Sequence, residues 1–142
     1  MADKDMIGKI AVYAFLLGTI IAILVGLWHA YTLETEDLTD TLFVRTNDTG
    51  GIIAWILVIL GAIVGLLAVL GKGTITKAEV PSFLLAGIAL LVMYAVFSNI
   101  YVMVPYYIGS LLAGVSLALS IFIAPAVGVL AIKAIWDIGK SV

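Results

Sequence analysis

The sequence predicts an all-α integral membrane protein, a four-helix bundle threaded through lipid. Two observations carry that prediction. Of the 142 residues, 64% are hydrophobic and only 11% are charged, where a soluble domain has about 45–50% and about 25%. The mean hydropathy is +1.27. A soluble domain of this length has too little interior to hide so much apolar surface. The second observation is where the charges fall. No Asp, Glu, Lys or Arg occurs from Ile10 to Leu33 (24 residues), from Thr49 to Gly71 (23) or from Val80 to Ile132 (53). A spanning helix needs about 20 apolar residues. The first two runs therefore hold one span each. The third holds two, because a single helix of that length would extend about 80 Å.

Taken in order, the helices are expected at about 5–32, 50–71, 77–99 and 105–137, as one transmembrane domain. Asp3 and Asp5 suit the positive N-terminal end of the first helix. Its apolar run is too long for the core of a cleaved signal peptide, so it reads as a retained span. Asp48 or Thr49 can cap the second helix, and Gly71 and Gly73 suit its end. Thr76-Lys77-Ala78-Glu79 reads as a capping box for the third. Ser98, Asn99 and Pro105 bracket the turn into the fourth, and Pro105 suits a first helical turn because its missing N–H costs nothing there. The fourth helix, about 33 residues, would reach about 50 Å. Pro125 within it predicts a kink, and the end bearing Lys133, Trp136, Asp137 and Lys140 is expected at or beyond the bilayer surface.

Basic residues set the orientation. With four spans, Lys4, Lys9, Lys72, Lys77, Lys133 and Lys140 fall on one face, and only Arg45 falls on the other. The positive-inside rule places both termini in the cytoplasm, N-in/C-in, in a multi-pass cell-membrane protein. The opposite face carries Glu34, Glu36, Asp37, Asp40 and Asp48. Trp28, Tyr31, Trp55, Tyr101, Tyr106 and Tyr107 would sit near the outer headgroups and Trp136 near the inner ones, where amphipathic rings are favoured.

Lipid tails are as apolar as the helices, so close packing at small residues and interhelical hydrogen bonds must hold the spans together. Gly18, Ala22 and Gly26, then Gly61 and Gly65, then Ser110, Gly114 and Ala118 recur at four-residue spacing. Ala124 and Gly128 follow in the fourth helix. These faces suit packing within one chain or an interface between copies. Ser116 and Ser120 share a helix face and are either a short polar path or hydroxyls bonded to their own helix.

Chemistry-bearing residues are few. The chain has no cysteine, which removes disulfides, thiolate metal sites and cysteine nucleophiles. Net charge is −2, so no basic field attracts nucleic acid. No ionisable acid or base is expected within the hydrocarbon region, where proton relays and ion-coupled pumps use such groups. His29 is the single histidine, too few for a metal or haem site without further ligands from Glu34, Glu36 or another copy. It reads as an interfacial side chain. The acidic 33–48 loop lacks calcium-loop spacing and reads as a solvated recognition surface. Asn47-Asp48-Thr49 makes Asn47 a candidate glycosylation acceptor. No cofactor or catalytic residue is expected.

Val64-Gly65-Leu66-Leu67-Ala68-Val69 and Val127-Gly128-Val129-Leu130-Ala131-Ile132 are alike, which would fit duplication of a helical hairpin. The segments Ile52–Leu67, Phe83–Leu91 and Phe122–Ile135, the last with Ala124-Pro125-Ala126, resemble small uncharacterised four-helix membrane proteins of archaea and related prokaryotes. The resemblance covers about half the chain; it implies a prokaryotic cell membrane and no activity. The four-span order and Gly26-Leu27-Trp28 are also similar to claudins and tetraspanins. The cysteines of those families are absent, and the tripeptide lies inside the first span, so that assignment fails. The expectation is a non-enzymatic membrane protein that acts by homo-oligomeric assembly or as an accessory subunit, with lipid and other membrane subunits as partners. The alternatives are an oligomeric channel or facilitator, and a membrane enzyme or cofactor subunit.

Overall fold

The computed structural model describes residues 2–35, 48–100, 103 and 107–141. They form α1 (Ala2–Thr35), α2 (Asp48–Val69), α3 (Val80–Ile100) and α4 (Ile108–Lys140), each long and apolar enough to cross a membrane. Glu36, Asp37, Asp40, Arg45, Asn47, Tyr101, Pro105 and Tyr106, with most of the acidic loop, lie outside the described residues.

The helix ends differ from the sequence expectation for local reasons. α2 stops at Val69, two residues early, because Gly71 takes a left-handed conformation at φ 68°. Its N–H bonds the Ala68 carbonyl (3.0 Å), and the Lys72 N–H bonds that of Leu67 (2.9 Å). This is a Schellman closure, which favours glycine at the left-handed position. α3 begins three residues late. The Glu79 carboxylate does accept the Thr76 N–H (2.9 Å), but the Thr76 hydroxyl also donates to that carboxylate (2.8 Å). The Thr76 carbonyl takes the N–H groups of Glu79 and Val80, so residues 76–79 form a turn ahead of the helix. Ser98 and Asn99 lie in the last turn of α3, which runs one residue past the expected end at 99, and both bond back to the Ala95 carbonyl. α4 starts at Ile108 behind Tyr107, whose φ is 60°, a conformation few bulky residues adopt.

α4 is the axle of the bundle. Among the described residues it contacts each of the other helices, α1 and α2 also contact each other, and α3 contacts α4 alone. Gly18 and Gly26 of α1 meet Phe122 and Val115 of α4 respectively, so these two helices run antiparallel. Gly61 and Gly65 of α2 meet Phe122 and Ala126, so those two run parallel. The core holds Ala22, Val25, Leu57, Val64, Ala118, Phe122 and Leu130, and the α2–α3 loop sends Ile75 into it. α4 continues as helix through Pro125.

Candidate functional site

Among the described residues the helices approach one another closely along α4, in a seam rich in small residues. At Gly26 a Cβ would lie 2.6 Å from the Val115 Cα and 2.9 Å from the Gly114 carbonyl oxygen. At Gly114 it would lie 2.8 Å from the Ala30 nitrogen. The two glycines thus face each other across α1 and α4 with backbone against backbone. One turn beyond Ala30 in α1 and one turn before Gly114 in α4, the buried Ser110 hydroxyl donates to the Glu34 carboxylate, with the Tyr107 carbonyl also in reach at 3.1 Å. α2 docks in the same manner, with Gly61 on the Phe122 carbonyl and Gly65 2.6 Å, by its absent Cβ, from the Ala126 Cα. α3 docks through Gly87, where a Cβ would lie 2.6 Å from the Val127 Cγ2. Dispersion forces fall off steeply with separation, and in lipid this close approach is what holds helix to helix.

The structure places Gly18, Ala22, Gly26, Gly61, Gly65, Ser110, Gly114 and Ala118 all in the buried interior of the single chain. Ala124 and Gly128 are different: both are exposed, and open space surrounds the Cβ direction of Gly128. Ser116 and Ser120 are both buried. The Ser116 hydroxyl lies 2.5 Å from the Leu112 carbonyl and 3.2 Å from that of Ala113, so it bonds within its own helix. The Ser120 oxygen has no hydrogen-bond partner among the described residues.

His29 does not share the exposure of its aromatic neighbours. Trp28 and Tyr31 are exposed, while His29 is buried on the packed face of α1 beside Ala30 and Thr32. Thr32 donates to its carbonyl (2.8 Å). Among the described residues no three His, Asp or Glu side chains converge on one point. Comparison of the chain with family models, with curated proteins and with solved structures gives no match. The reading of the site therefore rests on its own geometry.

Two features of the seam escape a residue-by-residue reading of the sequence. Phe122 is 1% exposed; its ring fills the notch left by Gly18 and tilts 50° against Phe15 at 6.2 Å between centroids. Its signal was a single aromatic in the stretch of α4 before Lys133, which is otherwise small-residue and aliphatic. Gly87 is the one buried residue of α3, and its signal was a glycine in mid-span. At the far end of α4 the charges organise themselves locally. Lys133 pairs with Asp137 at 2.9 Å, and the Lys140 ammonium lies 5.4 Å from the centre of the Trp136 ring.

Proposed function

We propose that this chain is a non-enzymatic multi-pass membrane protein that acts by association within the bilayer, as a homo-oligomer or as an accessory subunit. One observation carries this reading: α3 is held on one side only. Just 6% of its most apolar stretch is buried inside the chain, against 28% for α1 and α2 and 33% for α4. Its free side carries Ser82, Ala86 and Ala89 among exposed Leu85, Ile88 and Val92, and small residues of this kind favour close helix contact in lipid. The faces already spent on the seam of α4 leave this side for a neighbour. The six lysines at one end support an orientation with both termini in the cytoplasm, and Pro125 supports a bend in α4 where its missing N–H frees the Ile121 carbonyl.

The absence of native cysteine makes the test direct. A single cysteine at Ala89 is expected to cross-link between copies, or to a co-purifying subunit, in native membranes, while one at buried Ala22 stays unlinked. Monomer alone at every position on the free side of α3 contradicts the reading. A single cysteine at Lys77 tests orientation: it should meet an impermeant thiol reagent only after the membrane is opened.

A second reading, a channel or facilitator between copies, is favoured by Ser120, whose buried hydroxyl has no partner among the described residues. Solute flux in liposomes that is lost in Ser120→Leu, with the fold intact, would select it over the first.

A further inference from the structure

The end of the molecule that gathers the lysines contains a groove that the helix packing does not use. It has a volume of about 480 Å³ and lies between the α2–α3 loop and the last turns of α4. The loop wall is fixed: Gly73 sits so near the end of α2 that a Cβ would lie 2.7 Å from the Ala68 nitrogen, and Ile75 is anchored in the core. Val69, Ile75 and Leu130 make the floor apolar, and Lys77, Lys133 and Asp137 stand on the rim.

The charges on the rim do not cancel. Asp137 takes one contact from Lys133 at 2.9 Å, which leaves two of the three ammonium protons of Lys133 free to donate. Lys77 makes no ion pair among the described residues, and it acts with Lys140 on the Asp137 carboxylate at longer range. Two rim cations therefore face one carboxylate. Lys133 is 35% exposed and stands one turn after Leu130 of the floor, so its stem follows apolar surface while its head reaches the rim, as a snorkelling lysine does. Lys77 precedes the apolar run of α3 by three residues. The cations thus lie where the hydrocarbon ends and headgroups begin.

We propose that this groove holds an anionic phospholipid, with the headgroup phosphate on Lys77 and Lys133 and an acyl chain along Val69, Ile75 and Leu130. A cationic rim over an apolar floor matches a ligand that is an anion at one end and hydrocarbon at the other. A free phosphate would use the rim and leave the floor empty. Basic pockets between spanning helices at the cytoplasmic surface recognise such headgroups. Asp137 fixes Lys133 in place and tempers the site, so that one phosphate, rather than a cluster, satisfies it.

The test is native mass spectrometry of the full chain in mild detergent, with phosphatidylglycerol or phosphatidylcholine added. Phosphatidylglycerol should be retained over phosphatidylcholine by roughly fivefold per engaged lysine. Lys77→Gln, an exposed loop change that spares the fold, should lose about that factor, and Lys133→Gln should lose more because Asp137 then faces the phosphate unpaired. Lys72→Gln and Lys9→Gln, equal in charge but outside the groove, should change nothing. Ala134→Trp, which fills the groove, should reduce retention of both lipids. Excess inorganic phosphate should not displace the lipid. Equal retention of the two lipids, or an unchanged preference in Lys77→Gln, overturns the proposal. So does an equal loss in Lys72→Gln, or full displacement by inorganic phosphate.

Discussion

Gly61 of α2 lies so close to the carbonyl oxygen of Phe122 that a Cβ in its place would overlap that atom. A Cα hydrogen points there instead, in the geometry of a Cα–H···O contact. The site falls where the backbone ladder of α4 is thinnest. Pro125, whose Cδ would stand 3.4 Å from the same Cβ, has no N–H for the carbonyl four residues before it. α2 therefore presses its narrowest residue against the stretch of α4 least closed by its own hydrogen bonds.

Enlarging Gly61 should separate these two helices. The obstacle is backbone, which cannot turn aside as a flexible side chain can, so Gly61→Leu should cost about 1–3 kcal/mol or more. Gly128→Leu should cost much less, because space is open there. Equilibrium unfolding in mixed detergent micelles compares the two, and equal losses would show that the close approach at Gly61 is not what holds α2.

Gly18 and Phe122 form a notch and its filling, and their substitutions should not add. A Cβ at Gly18 would overlap the Phe122 ring. Gly18→Ala alone crowds the seam by about 1–3 kcal/mol. Phe122→Leu alone leaves a void in the same place. Together each offsets the other, so the double variant should be more stable than the sum of the single losses predicts, with a coupling of about 0.5–3 kcal/mol. A coupling near zero would mean that the ring and the notch do not meet.

The Glu34–Ser110 hydrogen bond ties the exposed end of α1 to the start of α4. Its removal should have a small effect, because the Ser110 hydroxyl can turn to the Tyr107 carbonyl at 3.1 Å. Glu34→Ala should cost about 0.6 kcal/mol, the average for a polar contact between spanning helices. Hydrogen exchange at the amides of Tyr31–Thr35 should rise in that variant, while exchange near Gly18 stays unchanged. A loss spread along all of α1 would contradict a local tie.

The number and type of the helices were legible because charges interrupt apolar runs at the scale of the membrane, a signal that needs no tertiary contact. The stop at Gly71 was legible for a similar reason, since a left-handed closing residue is a local demand. The start of α3 was not: Thr76 and Glu79 bond to each other in a turn that satisfies a capping pattern without beginning the helix. Nor was the central place of α4. Gly-rich faces occur on α1, α2 and α4 alike, and which face meets which depends on how three helices share one partner. The burial of His29 shows the same limit. Trp28 and Tyr31 beside it advertise an interface, but on a helix adjacent residues point about 100° apart, so His29 turns inward with Ala30 while Trp28 and Tyr31 face out.

The turn that opens α3 should respond to pH. The Glu79 carboxyl is held below the usual glutamate range, first by the hydrogen bond from the Thr76 N–H and then by that from the Thr76 hydroxyl. Both bonds favour the carboxylate, so folding is assisted most where Glu79 is ionised in the unfolded chain as well. The assistance is fully present above the unfolded value and is lost as pH falls through the depressed folded one. Thr76→Val keeps the N–H bond and removes the hydroxyl, so the Glu79 midpoint should rise part of the way toward an ordinary glutamate. Glu79→Gln should abolish this part of the acid response while leaving the span itself helical. A carbon-detected NMR titration of Glu79 reads the midpoint directly, and an identical midpoint in Thr76→Val would remove the hydroxyl from the account.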